Sequence, residues 1–221
     1  MSVVIALLGA ESTGKTTIAQ RLVDILAAEG RQVALVPEVL REFCDLHRRT
    51  PRQDEQQQIA DEQMHRIASA AAAHDVVIAD TTALMIAVYS DIVFGDAGLY
   101  AGAEAAHRER CDLTLLTALD LPWQADGLQR DGPHVREPVD ARVRASLARA
   151  GISYGIVFGS GESRVNAALA GVRRALAPPA ARAPFLGSAR WQWHCERCGD
   201  AACELHARLL DGAIRGENDA R

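Results

Sequence analysis

Lysine is nearly absent from this chain: of its 24 basic residues, 23 are arginine and the remaining one is Lys15. Basic charge is not in excess either. The formal net charge is −5 and the isoelectric point is near 5.8, which argues against a general nucleic-acid binder. No apolar run is long enough to span a bilayer, so no membrane partner is expected. No charged leader precedes the first apolar run, so a signal peptide is not expected and the chain is expected in the cytoplasm. There is no internal repeat. Cysteine is scarce outside one cluster: Cys44 and Cys111 are scattered, while Cys195, Cys198 and Cys203 stand close together. In a reducing compartment such a cluster suggests a metal more than disulfides. A chain of 221 residues, 48% hydrophobic and 24% charged, has room for one full α/β domain and a small appendage. Composition leaves a homo-oligomer open.

The one lysine sits in Gly9-Ala10-Glu11-Ser12-Thr13-Gly14-Lys15-Thr16-Thr17, which fits the P-loop pattern G-x-x-x-x-G-K-[ST] at every fixed position. Base composition could explain why lysine is rare, but not why the survivor stands here. A compact ammonium suits a tight loop around phosphate oxygens in a way that a planar guanidinium does not. The flanks agree with the motif. Val3–Leu8 is an apolar run of buried parallel-strand type, and residues 16–28 carry apolar side chains at helical spacing (Ile18, Leu22, Ile25, Leu26). A strand, a glycine-rich turn and a helix N-terminus hold phosphate through backbone N–H groups. Gly9, Ser12, Thr13, Gly14, Lys15, Thr16 and Thr17 are therefore expected to hold ATP. Lys15 would reach the β- and γ-phosphates, and the Thr16 hydroxyl would ligate Mg²⁺.

Further strand candidates lie at residues 32–36, 75–79, 113–117 and 153–158. Helical patterns lie between and after them at 52–73, 83–93, 140–150 and 162–177. This alternation predicts a parallel five-stranded sheet with helices on both faces. A proline-rich stretch at 178–187 ends the last helix and reads as a linker. It separates a domain spanning 1–177 from a small Cys-rich segment, 188–221.

Several residues at the carboxyl ends of these strands could do chemistry, because ligands bind there in open α/β sheets. Asp80 ends the strand Val76-Val77-Ile78-Ala79-Asp80, where it could hold Mg²⁺ or take a proton from a substrate hydroxyl. It could instead only cap the next helix. Glu38 follows the second strand and is either a base or a substrate ligand, with Arg41 three residues on along the same face. The competing reading is a first-turn Glu with a surface partner. Trp123 and Asp126, in Pro122-Trp123-Gln124-Ala125-Asp126-Gly127, could stack on a flat ring and bind sugar hydroxyls, or merely cover the sheet edge. Arg130 and Arg136 stand in a Gly- and Pro-containing stretch that could close over phosphates and stabilise the transition state. Gly159 and Gly161 follow the last strand, where backbone can approach a ligand closely or simply turn. In the tail, Cys195, Cys198, Cys203 and His206 give C-x₂-C-x₄-C-x₂-H, a donor set suited to tetrahedral Zn²⁺ in a closed structural site. Three free thiols in a capping segment are the alternative.

Taken with their spacing, the P-loop, the Pro37-Glu38 segment, the Asp80 strand and the Pro-Trp-x-x-Asp-Gly segment make residues 1–177 resemble the ribosylnicotinamide kinase domain of NadR-type proteins and related single-domain P-loop ATPases. That resemblance implies a nucleoside-kinase-like fold with a lid, and transfer of the γ-phosphate of ATP to the 5′-hydroxyl of nicotinamide riboside. By resemblance, Trp123 would stack on the pyridinium ring, Asp126 would bind the ribose and Tyr89 would wall the pocket. The chain departs from the pattern in lacking an arginine directly after the Asp-Gly turn, where Leu128 and Gln129 precede Arg130, and in carrying the Cys-rich tail. The expected activity is thus ATP-dependent phosphorylation of a small nucleoside-like acceptor. The alternative is a nucleotide-dependent regulatory ATPase whose Cys-rich tail docks a partner.

Overall fold

Val3–Leu8 forms β1, the central strand of the sheet, and its last five side chains are buried. The computed structural model describes residues 2–124 and 132–178. Within them, β2 (Val33–Val36), β3 (Val76–Asp80), β4 (Leu113–Thr117) and β5 (Gly155–Val157) join β1 in the order β2-β3-β1-β4-β5, with every pairing parallel. Runs of Val, Ile and Leu buried on both sides are what a parallel sheet under two helical layers requires.

Alternating side chains divide the core. Ile5 and Leu7 of β1, with Val76 and Ile78 of β3, point to one face, where α1 (Lys15–Ala28) and α7 (Gly161–Leu176) cover them through Ile18, Leu22, Leu26 and Val172. Val4, Val77 and Ala79 point to the other face, under α2 (Val39–His47), α3 (Gln56–Ala73), α4 (Ala83–Phe94) and α5 (Tyr100–Arg110). Leu8 and Leu116 meet α4 and α6 (Arg136–Arg149). No helix among the described residues is long and apolar enough to cross a membrane.

The five strands and most helices lie where the sequence pattern puts them, with three differences. The helix expected from 52 opens as a 3₁₀ turn, Gln53–Glu55, because the Glu55 carboxylate accepts from the Arg52 backbone N–H at 2.7 Å. α6 starts at Arg136, directly after the turn Pro133–Val135, rather than at 140. α5 is unannounced by apolar periodicity: Tyr100-Ala-Gly-Ala-Glu-Ala-Ala-His buries Ala103, Glu104 and His107 in place of large aliphatic residues. All five strand exits open on one edge: Gly9, Pro37, Thr81, Ala118 and Phe158 follow the strands there. Of the expected linker and Cys-rich segment, only Pro178 lies within the described residues. Cys195, Cys198, Cys203 and His206 lie outside them.

Candidate nucleotide and acceptor site

The glycine-rich turn is held from below by hydroxyls. Thr13 Oγ1 donates to the Ala10 carbonyl at 2.8 Å and lies 2.6 Å from Thr117 Oγ1, which contacts the Leu8 carbonyl at 3.1 Å. Gly9 has φ +144°, and a Cβ there would fall 2.1 Å from Thr117 Oγ1, so only glycine fits. Ser12 (φ 56°) and Gly14 (φ 79°) are left-handed, and Gly14 caps α1 without any side-chain cap. The first N–H groups of α1 are thus left open to an anion.

Lys15 is buried, and its Nζ donates to the Gly9 and Ala10 carbonyls at 2.9 Å each. Burial lowers its pKa, while the Glu38 and Asp80 carboxylates oppose that shift. Thr16 Oγ1 donates to Asp80 Oδ2 at 2.6 Å. Asp80 Oδ1 is buried and has no hydrogen-bond partner among the described residues. A hydroxyl and an unpartnered carboxylate oxygen side by side are hard donors of the kind Mg²⁺ takes, so the residues present fit that ion. Asp80 caps no helix; Thr82 does, accepting from Leu84 N–H at 3.3 Å. Between them Thr81 holds φ +79°, a left-handed conformation that costs a β-branched residue energy.

Glu38 precedes α2 and is buried, yet its side chain does not cap the helix. Gln63 of α3 does that work: its Oε1 accepts from Val39 N–H at 2.8 Å, and its Nε2 donates to the Pro37 carbonyl at 3.2 Å. The carboxylate is thereby free to face the cluster around Lys15. It accepts from Arg41 at 3.2 and 3.3 Å. Burial raises its pKa above the ordinary carboxylate range, and Lys15 pulls the other way.

The segment after β4 folds onto the P-loop. Gln124 N–H donates to Ser12 Oγ at 2.8 Å, Ser12 Oγ contacts the Gln124 carbonyl at 3.3 Å, and the Leu121 side chain lies against Gly14. Trp123 is half-buried in this segment. Asp126 and Arg130 lie outside the described residues. Arg136 is not on an irregular stretch: it is the first residue of α6, buried, with Nη1 donating to the Leu121 carbonyl at 2.8 Å. Its Nε and Nη2 have no partner among the described residues. Tyr89 lies two turns into α4, half-buried between two core clusters. Gly159 (φ 91°) and Gly161 (φ 53°) flank the start of α7. Gly159 N–H donates to Asp120 Oδ2 at 2.6 Å. A separate cavity of about 360 Å³, between α3, α5 and the start of α4, contains none of the expected site residues.

Sequence reasoning passed over Gln63, Thr117, Asp120 and Arg164. Asp120 had a weak signal in its place just past a strand end. Gln63 and Arg164 sit inside helical patterns and carry none. Among the described residues no three His, Cys, Asp or Glu side chains group as a metal site of their own.

A phosphate cradle with its lysine, a hydroxyl–carboxylate pair beside it and a parallel sheet of order 2-3-1-4-5 define a P-loop nucleotide-binding α/β protein. A family model confirms the class: the AAA domain model matches residues 4–164, so the chain belongs to the AAA domain family. No curated protein matches the chain. Among solved structures, NadR protein in complex with NAD and AMP-PNP is similar, with a TM-score of 0.62, 19% identity, and coverage of 86% of this chain and 52% of that one. NadR protein in complex with NR matches with a TM-score of 0.62, 20% identity, and coverage of 78% and 49%. The chain thus spans about half the length of those NadR chains, and at this identity the likeness is one of fold.

Proposed function

We propose that the chain is an ATP-dependent kinase that phosphorylates a hydroxyl of a small nucleoside-like acceptor, in the manner of ribosylnicotinamide kinase. The observation that carries this reading is the pair of buried carboxylates set in different surroundings on one sheet edge. Asp80 is tied to the Thr16 hydroxyl at 2.6 Å and keeps one oxygen open. Glu38 is freed from capping, faces Lys15, and has its pKa raised by burial. One carboxylate can thus hold the metal ion while the other takes the proton of the attacking hydroxyl. The NadR neighbours, solved with AMP-PNP and with NR, support the choice of substrates.

On this reading the backbone N–H groups of the P-loop and Lys15 hold the phosphates. Thr16 and Asp80 would hold Mg²⁺, which when bound supplies charge neutralisation at the phosphate oxygens. Glu38 accepts the proton as the acceptor hydroxyl oxygen bonds to the γ-phosphorus and the bond from that phosphorus to the β–γ bridging oxygen breaks, giving ADP. Arg41 holds the Glu38 carboxylate in place. Trp123, fixed beside the cradle by the Ser12–Gln124 contacts, offers a face on which a flat ring can stack. Arg136, whose Nε and Nη2 have no partner among the described residues, is assigned to answer charge developing on the phosphates. Positioning and charge stabilisation do most of the work.

The test is coupled ADP release with Mg-ATP and a panel of nucleosides that includes nicotinamide riboside, with Lys15→Ala as the blank. One nucleoside should stimulate release strongly. Slow release that no nucleoside accelerates would defeat the kinase reading in favour of a regulatory ATPase.

A further inference from the structure

Arg164 and Asp120 have no part in that mechanism, yet the buried guanidinium and the half-buried carboxylate form a heavily bonded pair next to the cradle. Arg164, on α7, is 3% exposed. Its Nη2 donates to the Thr13 carbonyl at 3.0 Å and to the Ala118 carbonyl at 3.1 Å. Its Nη1 donates to the Gly159 carbonyl at 2.9 Å and to Asp120 Oδ1 at 2.6 Å. Asp120 Oδ2 takes the Gly159 N–H at 2.6 Å. One guanidinium thus joins the P-loop, the exit of β4 and the turn between β5 and α7.

The contact to Thr13 has a consequence for phosphate. In a trans peptide the carbonyl and the next N–H point in opposite directions. With the Thr13 carbonyl bonded to the buried Arg164, the Gly14 N–H of the same peptide is aimed away from that guanidinium. Gly14 is the residue at which this peptide could flip, because glycine tolerates both signs of φ. A flipped peptide would present a carbonyl to the phosphates in place of a donor. We propose that Arg164 is a positioning residue: it locks the Thr13–Gly14 peptide so that the Gly14 N–H binds phosphate, with Asp120 holding the guanidinium in register. Lysine cannot replace it, because a single ammonium cannot reach four acceptors arranged around a planar fork. The inference rests on the P-loop as a nucleotide site, but not on the identity of the acceptor.

The experiment compares wild type with Arg164→Lys and Arg164→Gln. Folded protein is isolated first, and affinities for ATP, ADP and adenosine are read by competition against a fluorescent ATP analogue. Losing one aligned donor to a charged phosphate weakens binding by about tenfold or more. The expected pattern is therefore loss of about tenfold for ATP and ADP, with adenosine changed by less than about twofold. Equal loss for adenosine, or unchanged affinities with a lowered melting temperature, would overturn the proposal and leave Arg164 a purely structural residue. Should both variants fail to fold, the wild type decides. Its Gly14 amide proton should move downfield on adding Mg-ADP, and an unmoved resonance overturns the assignment. Wild-type protein that binds no nucleotide at all would instead refute the nucleotide site itself, so the two failures are distinct.

Discussion

Replacing His107 with glutamine tests how the turn that carries Asp80 is held. His107 lies on α5 and is fully buried. Its Nδ1 is 2.9 Å from Thr82 Oγ1, and its Nε2 is 2.8 Å from Thr114 Oγ1 of β4. Thr82 follows the strained Thr81 and caps α4, so the ring links β4 to the turn just past Asp80. Burial lowers the imidazole pKa from 6.5 to about 4. The unfolded chain therefore takes up the proton at a higher pH than the folded one. Stability from the neutral ring is complete above pH 6.5 and is lost as the pH falls through 6.5 toward about 4. The loss between pH 7 and pH 4 is about 3 kcal/mol. His107→Gln loses the ring and its two aligned hydrogen bonds, which costs about 2 kcal/mol at pH 7. It does not titrate, so the gap should close on acidification and reverse by about pH 4. Urea unfolding of both proteins at pH 7, 6, 5 and 4 measures the gap, and every other titrating group cancels in the difference. A gap of the same size at pH 7 and pH 4 would mean that the buried ring does not titrate with folding.

Four further outcomes follow from the site. Glu38→Gln should abolish acceptor-dependent turnover while leaving stability at pH 7 unreduced, because the folded state binds the Glu38 proton more tightly than the unfolded state and ionising it therefore costs stability; pH-rate profiles and thermal melts check both parts. By the same sign, wild-type kcat/KM should fall as the pH drops through a value above 4.5. Asp80→Asn should weaken the metal dependence of nucleotide binding by about tenfold or more and leave metal-free binding near wild type, as read by Mn²⁺ titration. Gly9→Ala should cost about 3 kcal/mol in chemical unfolding, since its Cβ would fall 2.1 Å from Thr117 Oγ1 and the backbone is left-handed.

The parallel sheet and the cradle were legible because each is written locally. Five short apolar runs mark the strands, and the P-loop pattern fixes the turn after the first. α5 was not legible because small residues and a buried histidine, rather than large aliphatic ones, form its inner face. The start of α6 was hidden by the Gly-Pro stretch before it, which made Arg136 look like a loop residue. Glu38 and Asp80 were visible as carboxylates at strand ends, but their different roles were not. That difference depends on Gln63, 24 residues away from Val39, taking over the cap of α2, and on Thr16 claiming one oxygen of Asp80. Arg164 was one arginine among many in a helical pattern. Only the fold, which brings its guanidinium to a carbonyl 151 residues distant, gives it meaning.

Phosphoryl transfer by this site is tested most directly by following label from γ-labelled ATP in the presence of nicotinamide riboside, with the products resolved as nucleotide and free phosphate. Wild type should place label on the ribose 5′-position of the acceptor, and Glu38→Gln or Lys15→Ala should place none. Label appearing only as free phosphate, at a rate indifferent to every nucleoside offered and to Glu38→Gln, would contradict that transfer.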